Sequence, residues 1–222
     1  MTNTSCPQHS PLVRRRCRAR VRPGFTLIEI LAVIAIIALL AGVLAPAIGG
    51  AFTAARKSVV VGRFSGWATA ILQYKQEFGY YPPLATRTNT EEDTHYDLGQ
   101  NDVVKNFIRC LSGKNLDGSD LTSTEMREYN RKGRLFVSFD KDAFENGDPK
   151  TEKLVDHRGN EKIHLVFDTN DDGNLLLNFG ELPDTEQALG VQEGKKLTAR
   201  VLIYTLGQEG PDKDNVNVWV KQ

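Results

Sequence analysis

One apolar stretch near the N-terminus constrains this chain more than any other feature. Residues 30–55 contain no charged side chain, and Glu29 stands directly before them. At 1.5 Å per residue, about 20 helical residues cross the roughly 30 Å of hydrocarbon in a bilayer. The stretch therefore predicts a helix long enough to span a membrane.

The residues before this stretch are strongly basic. Residues 1–24 contain no acidic side chain and six arginines, namely Arg14, Arg15, Arg16, Arg18, Arg20 and Arg22. Positive charge before a spanning helix favours a cytoplasmic leader and a body on the other side of the membrane. Without the leader the chain is net acidic and shows no basic stripe interleaved with aromatics, so we expect no nucleic-acid partner.

Three interpretations of the apolar stretch compete. It can be a plain membrane anchor, or a secretory signal with an A-x-A-like cleavage site at 45–47. In the third interpretation the chain is cut after Gly24, which gives Phe25 a free amine. A carboxylate in lipid costs about 2.5–3.5 kcal/mol, and an anchor or a signal gains nothing from Glu29. A cut after Gly24 would let the Glu29 carboxylate pair with the terminal amine of a neighbouring copy, which favours lateral assembly.

The residues GFTLIEILAVIAIIALLAGVLAP resemble the N-terminal motif of type IV prepilins, which pilins share with the pseudopilins of type II secretion. The matching positions are Gly24, Phe25, the following Thr-Leu-Ile, Glu29 as fifth residue of the mature chain, and Pro46 within the helix. The resemblance implies cleavage after Gly24 by a prepilin peptidase, N-methylation of Phe25 and assembly through a salt bridge of Glu29.

The likeness to the major pseudopilin implies a structural subunit that helps export proteins. It implies one inner-membrane span, a C-terminal head in the periplasm, and a helical fibre of copies of the chain. Implied partners are the prepilin peptidase, an assembly platform with its ATPase, minor pseudopilins and secreted cargo. The alternatives are a type IV (minor) pilin for adhesion or DNA uptake, and a membrane-anchored periplasmic binding module.

The chain divides by composition into four parts. We assign a leader at 1–24, a transmembrane and assembly helix at 25–50, its amphipathic continuation at 51–78 and a globular head at 79–222. Pro46 either ends the helix or bends it. Gly79 is the expected C-cap, followed by Pro82 and Pro83.

The head has the pattern of an α+β domain with a small antiparallel sheet, as in pilins. We predict a helix near 101–112, in which Cys110 is a buried apolar side chain. Loops are expected at 84–100, 113–133 and 183–196. Alternating and β-branched runs predict strands at 134–139, 162–168, 174–179, 199–206 and 216–220.

The turn at 155–160 resembles an Asp-Pro-Trp-Gly-Asn segment of some pseudopilins. In this chain His157 and Arg158 replace the Pro-Trp pair. The glycine and asparagine of the turn are retained.

Two acidic loops are candidate Ca²⁺ sites. Asp168, Asn170 and Asp172 follow the spacing of the first half of an EF-hand loop, but Phe179 replaces its bidentate glutamate, and an acidic hairpin turn is the alternative. The second candidate set, in a loop that resembles the calcium loop of major pseudopilins, is Glu209, Asp212 and Asp214. A solvated acidic turn is the alternative there too.

The sequence contains no residue pattern that is typical of an enzyme active site. The chain contains no Gly-x-Ser-x-Gly, no phosphate-binding glycine loop and no metal spacing among its histidines. We therefore expect no catalytic residue and no cofactor other than a possible Ca²⁺.

Overall fold

The computed structural model describes residues 25–85, 93–176, 196–205 and 216–220, with the backbone alone at 45–49. The chain divides into two compact units between Ile48 and Gly49. The helices are α1 (Leu27–Phe78), α2 (Asn101–Ser112) and α3 (Ser123–Glu128). The strands are β1 (Thr94–Asp97), β2 (Ile163–Phe167), β3 (Leu175–Leu176), β4 (Lys196–Leu197), β5 (Val201–Thr205) and β6 (Val216–Val220).

Helix α1 ends where the sequence predicts. Gly79 takes a φ of +84°, and its N–H donates to the carbonyl of Lys75 at 2.8 Å. Glycine adopts this left-handed conformation without the steric cost of a Cβ, so it closes the last turn. The helix does not end at Pro46, since helical backbone continues through that residue.

In the second unit α1 buries one face. The buried residues recur at intervals of three and four, as an amphipathic helix requires. They include Val60, Phe64, Trp67, Ala68, Ile71 and Tyr74.

A four-stranded antiparallel sheet with the order β1-β2-β5-β6 packs against this face. Leu165 at the centre of β2 pairs with Ile203 of β5 and with Tyr96 of β1. The side chains of Leu165 and Ile203 are fully buried in the same core as α1 and α2. The α+β class and the antiparallel sheet are therefore confirmed.

Trp67 lies at the centre of an aromatic cluster in this core. Its ring centroid is 5.4 Å from that of Phe64, 5.5 Å from that of Phe107 on α2 and 5.6 Å from that of Phe139. Cys110 on α2 has no exposed surface, which confirms its interpretation as a buried apolar side chain. The core thus joins both helices to the sheet.

The strand predicted at 134–139 is wrong. This segment has no strand partner among the described residues, although its aromatics are half-buried against the core. The backbone N–H groups of Phe136 and Val137 donate instead to the carbonyl of Leu111 at the end of α2. The apolar run therefore covers a helix end instead of joining the sheet.

Two elements lie inside predicted loops. Strand β1 lies within 84–100, and α3 lies within 113–133. Helix α3 begins with a capping box, in which the Glu125 carboxylate accepts from the Thr122 N–H at 2.9 Å. The T-x-x-E pattern in the sequence was a usable signal for this helix.

The other strand predictions have mixed outcomes. Those at 162–168, 199–206 and 216–220 are confirmed, with ends that differ by at most two residues. The strand predicted at 174–179 is reduced to β3 in its described part. The remainder of that strand and residues 183–195 of the predicted loop lie outside the described residues.

Candidate assembly site at the start of helix α1

The first unit presents an apolar helix surface to its surroundings. All side chains from Phe25 to Leu44 are exposed, and Leu27 is 83% accessible. The window Leu27–Leu44 has a mean hydropathy of 3.0, and none of it is buried within the chain. By length and composition this segment can cross a membrane.

Thr26 and Glu29 form a capping box at the first turn of α1. The backbone N–H of Thr26 donates to Glu29 Oε2 at 2.8 Å, and the Thr26 hydroxyl donates to the same oxygen at 2.7 Å. In return the Glu29 N–H donates to Thr26 Oγ1 at 3.3 Å. These bonds satisfy N–H groups that an α-helix leaves unpaired at its N-terminus.

The capping box fixes the position of the only acidic side chain between residues 25 and 55. Among the described residues its hydrogen-bond partners are the N–H and hydroxyl groups of Thr26, which carry no formal positive charge. No lysine or arginine occurs in the same range, which means that α1 itself supplies no cation nearby. In a chain that begins at Phe25, the terminal amine is the only cation that residues 25–55 would supply.

The sequence model for the prokaryotic N-terminal methylation motif matches residues 20–45. The chain carries a type IV prepilin-type N-terminus. This result confirms the prepilin and pseudopilin family, and it does not single out the major pseudopilin. No curated protein and no solved structure shows a significant match to this chain.

The prepilin motif implies processing by a prepilin peptidase and a pilus-like assembly. Together with the apolar helix it also indicates membrane anchoring. Gly24 lies outside the described residues, while Phe25 is 79% exposed directly before the capping box. Cleavage after Gly24, methylation of Phe25 and the salt bridge of Glu29 stay predictions.

The first candidate calcium loop folds as a tight acidic turn. Asp171 and Gly173 have φ values of +60° and +80°, and Asn170 Oδ1 accepts from the Asp172 N–H at 3.0 Å. Asp168 Oδ2 accepts from the Gly173 N–H at 3.0 Å. One side-chain oxygen of Asn170 and one of Asp168 therefore already serve the backbone of the turn.

Basic side chains from other elements also contact this turn. Arg200 donates to Asp168 at 2.8 Å and to Asp171 at 2.9 Å, while Lys75 pairs with Asp171. Lys196 donates to Asp172 at 3.0 Å, and this bond holds the pKa of the Asp172 carboxyl below its usual value. Sequence reasoning missed these cations because they lie far from the turn along the chain.

A second carboxylate lies near the buried end of this turn. Burial raises the pKa of Asp93, and the charge of Asp168 raises it further. Each of these two residues has one buried Oδ1 without a hydrogen-bond partner in the described ranges. Those ranges contain no group of three metal-ligating side chains, so Ca²⁺ at Asp168, Asn170 and Asp172 stays a prediction.

The second candidate loop, with Glu209, Asp212 and Asp214, lies outside the described residues. The residue that sequence reasoning missed at the assembly site is Thr26. Its capping role was readable from the T-x-x-E spacing at the start of the apolar helix.

Proposed function

We propose that this chain is the structural subunit of a type II secretion pseudopilus. The observation that carries the proposal is the prepilin-type N-terminus, in which a single carboxylate is fixed at the first turn of an exposed apolar helix. Copies of the chain would form a periplasmic fibre that helps to export proteins. The partners would be the prepilin peptidase, an assembly platform with its ATPase, and minor pseudopilins.

The chemistry of assembly follows from the charge at Glu29. Within the described residues, the carboxylate accepts hydrogen bonds from the N–H and the hydroxyl of Thr26. Cleavage after Gly24 creates a terminal amine at Phe25, which is the nearest source of positive charge for a neighbouring copy. Because a carboxylate in lipid costs about 2.5–3.5 kcal/mol, an ion pair with that amine would favour the assembled state.

In this proposal the chain does mechanical work and has no catalytic residue. Its head faces the periplasm, and its apolar helix moves from the inner membrane into the core of the fibre. Ca²⁺ bound by Glu209, Asp212 and Asp214 would stabilise the C-terminal loop instead of taking part in a reaction. Hard oxygen ligands that are close in sequence suit Ca²⁺ better than Zn²⁺.

The test is the pair of variants Glu29→Ala and Glu29→Gln. Glutamine keeps the capping box, because its amide oxygen also accepts from the Thr26 N–H, but it removes the charge. We expect both variants to be cleaved normally and neither to form fibres. Cleavage is read from the mass of the mature chain, and fibres are read by electron microscopy of sheared cells that overproduce the subunit.

The matched control is Glu77→Gln, which removes an acid in the last turn of α1 that pairs with Lys132 and Arg134. We expect this variant to form normal fibres. If Glu29→Gln forms normal fibres and Glu29→Ala forms none, Glu29 acts only as a helix cap and its charge is not needed for assembly. If both variants form normal fibres, the proposed ion pair of Glu29 is wrong.

A type IV pilin is the second candidate, because the same N-terminal motif fits it. Adhesive pilins often close their C-terminal loop with a disulfide. Cys110 is the only cysteine after residue 24, and it is buried in α2. This observation favours the secretion subunit. A deletion strain that exports its proteins normally but lacks surface pili would favour the pilin.

A further inference from the structure

Two carboxylates lie opposite each other at the end of the sheet where β1 begins and β2 ends. Thr94 of β1 pairs with Phe167 of β2, so the same register places Asp93 opposite Asp168. The two chains stay close beyond this pair, because the hydroxyls of Thr94 and Thr169 are 3.0 Å apart. Residues directly opposite in an antiparallel pair have Cβ atoms about 4.5–5.5 Å apart, and like charges there repel each other.

Each of these two carboxylates uses one oxygen and leaves the other without a partner. Asp168 is fully buried, and its Oδ2 accepts from the Gly173 N–H and from Arg200. Asp93 Oδ2 accepts from the Leu176 N–H. The Oδ1 atoms of both acids are buried and have no hydrogen-bond partner among the described residues. Buried polar atoms are nearly always paired in folded proteins, so these two oxygens point to a ligand.

The charges at this end of the sheet also leave one acid without a cation. Asp168 pairs with Arg200, and Asp172 pairs with Lys196. The basic side chains that contact the adjoining turn are thus engaged by the carboxylates of that turn. None of the ion pairs in the described ranges includes Asp93. A cation that contacts both Asp93 and Asp168 would offset the repulsion between them.

The free oxygens differ from the calcium set predicted from the sequence. Asn170 Oδ1 and both oxygens of Asp172 already accept hydrogen bonds, from N–H groups of the turn and from Lys196. Asp168 is the only member of that set with a buried oxygen that lacks a partner among the described residues. The second such oxygen belongs to Asp93, which lies far from the turn along the chain.

We propose that a hard divalent cation, Mg²⁺ or Ca²⁺, binds between Asp93 Oδ1 and Asp168 Oδ1. Both ions prefer carboxylate oxygens, and Mg²⁺ is commonly held by one or two carboxylates together with several waters. The described residues provide no group of three acidic, histidine or cysteine ligands, so water and backbone carbonyls complete the shell. The cation ties the start of the edge strand β1 to the end of β2. The site goes beyond the secretion role and needs no fibre assembly.

The experiment uses the full chain in an uncharged detergent, after bound metal has been removed with EDTA and the EDTA by dialysis. Isothermal titration calorimetry with MgCl₂ and with CaCl₂ then counts the sites per chain. The variant is Asp93→Asn, which keeps the shape of the side chain and removes its charge. We expect this variant to bind one ion fewer per chain than the unmodified protein.

The matched control is Asp172→Asn, which removes the same charge from the adjoining turn and from the set predicted from the sequence. We expect it to keep every site of the unmodified chain. Near-UV circular dichroism identifies any variant whose head has not folded.

Thermal unfolding gives a second measurement that a purely structural role of Asp93 would not reproduce. Without metal, Asp93→Asn should unfold at a temperature at least as high as the unmodified chain, because its amide can donate to the free oxygen of Asp168. With saturating metal, the unmodified chain and Asp172→Asn should gain more than Asp93→Asn, since binding to the folded state stabilises it. A metal-free Asp93→Asn that is less stable than the unmodified chain, or that does not fold, contradicts the proposal.

The two variants also separate the possible sites. Loss of one site in Asp93→Asn alone supports the proposal, and the salt that shows the loss identifies the ion. Loss in Asp172→Asn alone overturns it in favour of the loop predicted from the sequence. Equal loss in both overturns it, because binding would then depend on net charge only. An unmodified chain with no site, or with as many sites as Asp93→Asn, also overturns the proposal and leaves a shared proton as the partner of the two oxygens.

Discussion

The two units of this chain use apolar side chains in opposite ways. In the first unit the apolar residues of α1 are exposed, as Ile36 is at 60%, and no other described part of the chain covers them. In the second unit the same helix carries apolar residues that are almost fully buried, such as Trp67 at 1%. The head is thus stabilised by its own core, while the N-terminal segment depends on lipid or on other copies.

The largest expected difference between the two units is the effect of truncating an apolar side chain on the free energy of unfolding. Trp67→Ala removes the ring that contacts Phe64, Phe107 and Phe139, and we expect a loss of about 3–5 kcal/mol in the free energy of unfolding of the head. Ile36→Ala, in the exposed segment, should change it by less than about 0.5 kcal/mol. Urea unfolding in detergent, followed by near-UV circular dichroism, measures both. Equal losses would show that the two units unfold as one.

A pH effect of intermediate size should be confined to the head. Burial in the sheet, reinforced by the nearby charge of His95 and by Lys162 and only partly opposed by Asp97, lowers the pKa of His164 to about 4. The unfolded chain has a His164 pKa near 6.5, so it binds more protons than the folded chain between these values. Stability is therefore complete above pH 6.5 and is lost as the pH falls towards 4.

The full size of this loss is on the order of 3 kcal/mol. The measurement compares urea midpoints at pH 7.5 and pH 5 for the unmodified chain and for His164→Leu. The variant should show the smaller decrease, because it cannot take up the proton. An identical decrease in both would assign the pH dependence to other groups.

A smaller effect is expected at the acidic turn. Arg200→Gln removes the cation that donates to the fully buried Asp168, and we expect a loss of about 1.5–3 kcal/mol in the free energy of unfolding. Lys196→Gln breaks a pair with Asp172 that is partly exposed to water, and it should cost less than about 1 kcal/mol. Thermal unfolding of both variants tests the order. The reverse order would contradict the assigned burial of the Asp168 pair.

The sequence was most informative where a local pattern decides the structure. The uncharged stretch 30–55 and the Gly79 cap gave the span and the end of α1 because both effects act within a few residues. The runs at β2, β5 and β6 gave strands because β-branched and aromatic residues dominate them. The prepilin motif combined several fixed positions, so it identified the family although it covers a small part of the chain.

The sequence-based predictions failed where contacts between residues distant in the chain decide the structure. Residues 134–139 have the composition of a strand, but their N–H groups pair with the end of α2, and no local rule contains that contact. The cations at the acidic turn come from α1, β4 and the residue before β5.

The central claim is that the chain is cut after Gly24 so that a terminal amine becomes available to Glu29. Mass spectrometry of the chain purified from membranes of its native cells tests this claim most directly. The account predicts a mature protein that begins with N-methylated Phe25. A chain that retains Met1, or one that begins at Ile48 after a signal-peptide cut, would contradict the account and leave only an anchored or secreted head domain.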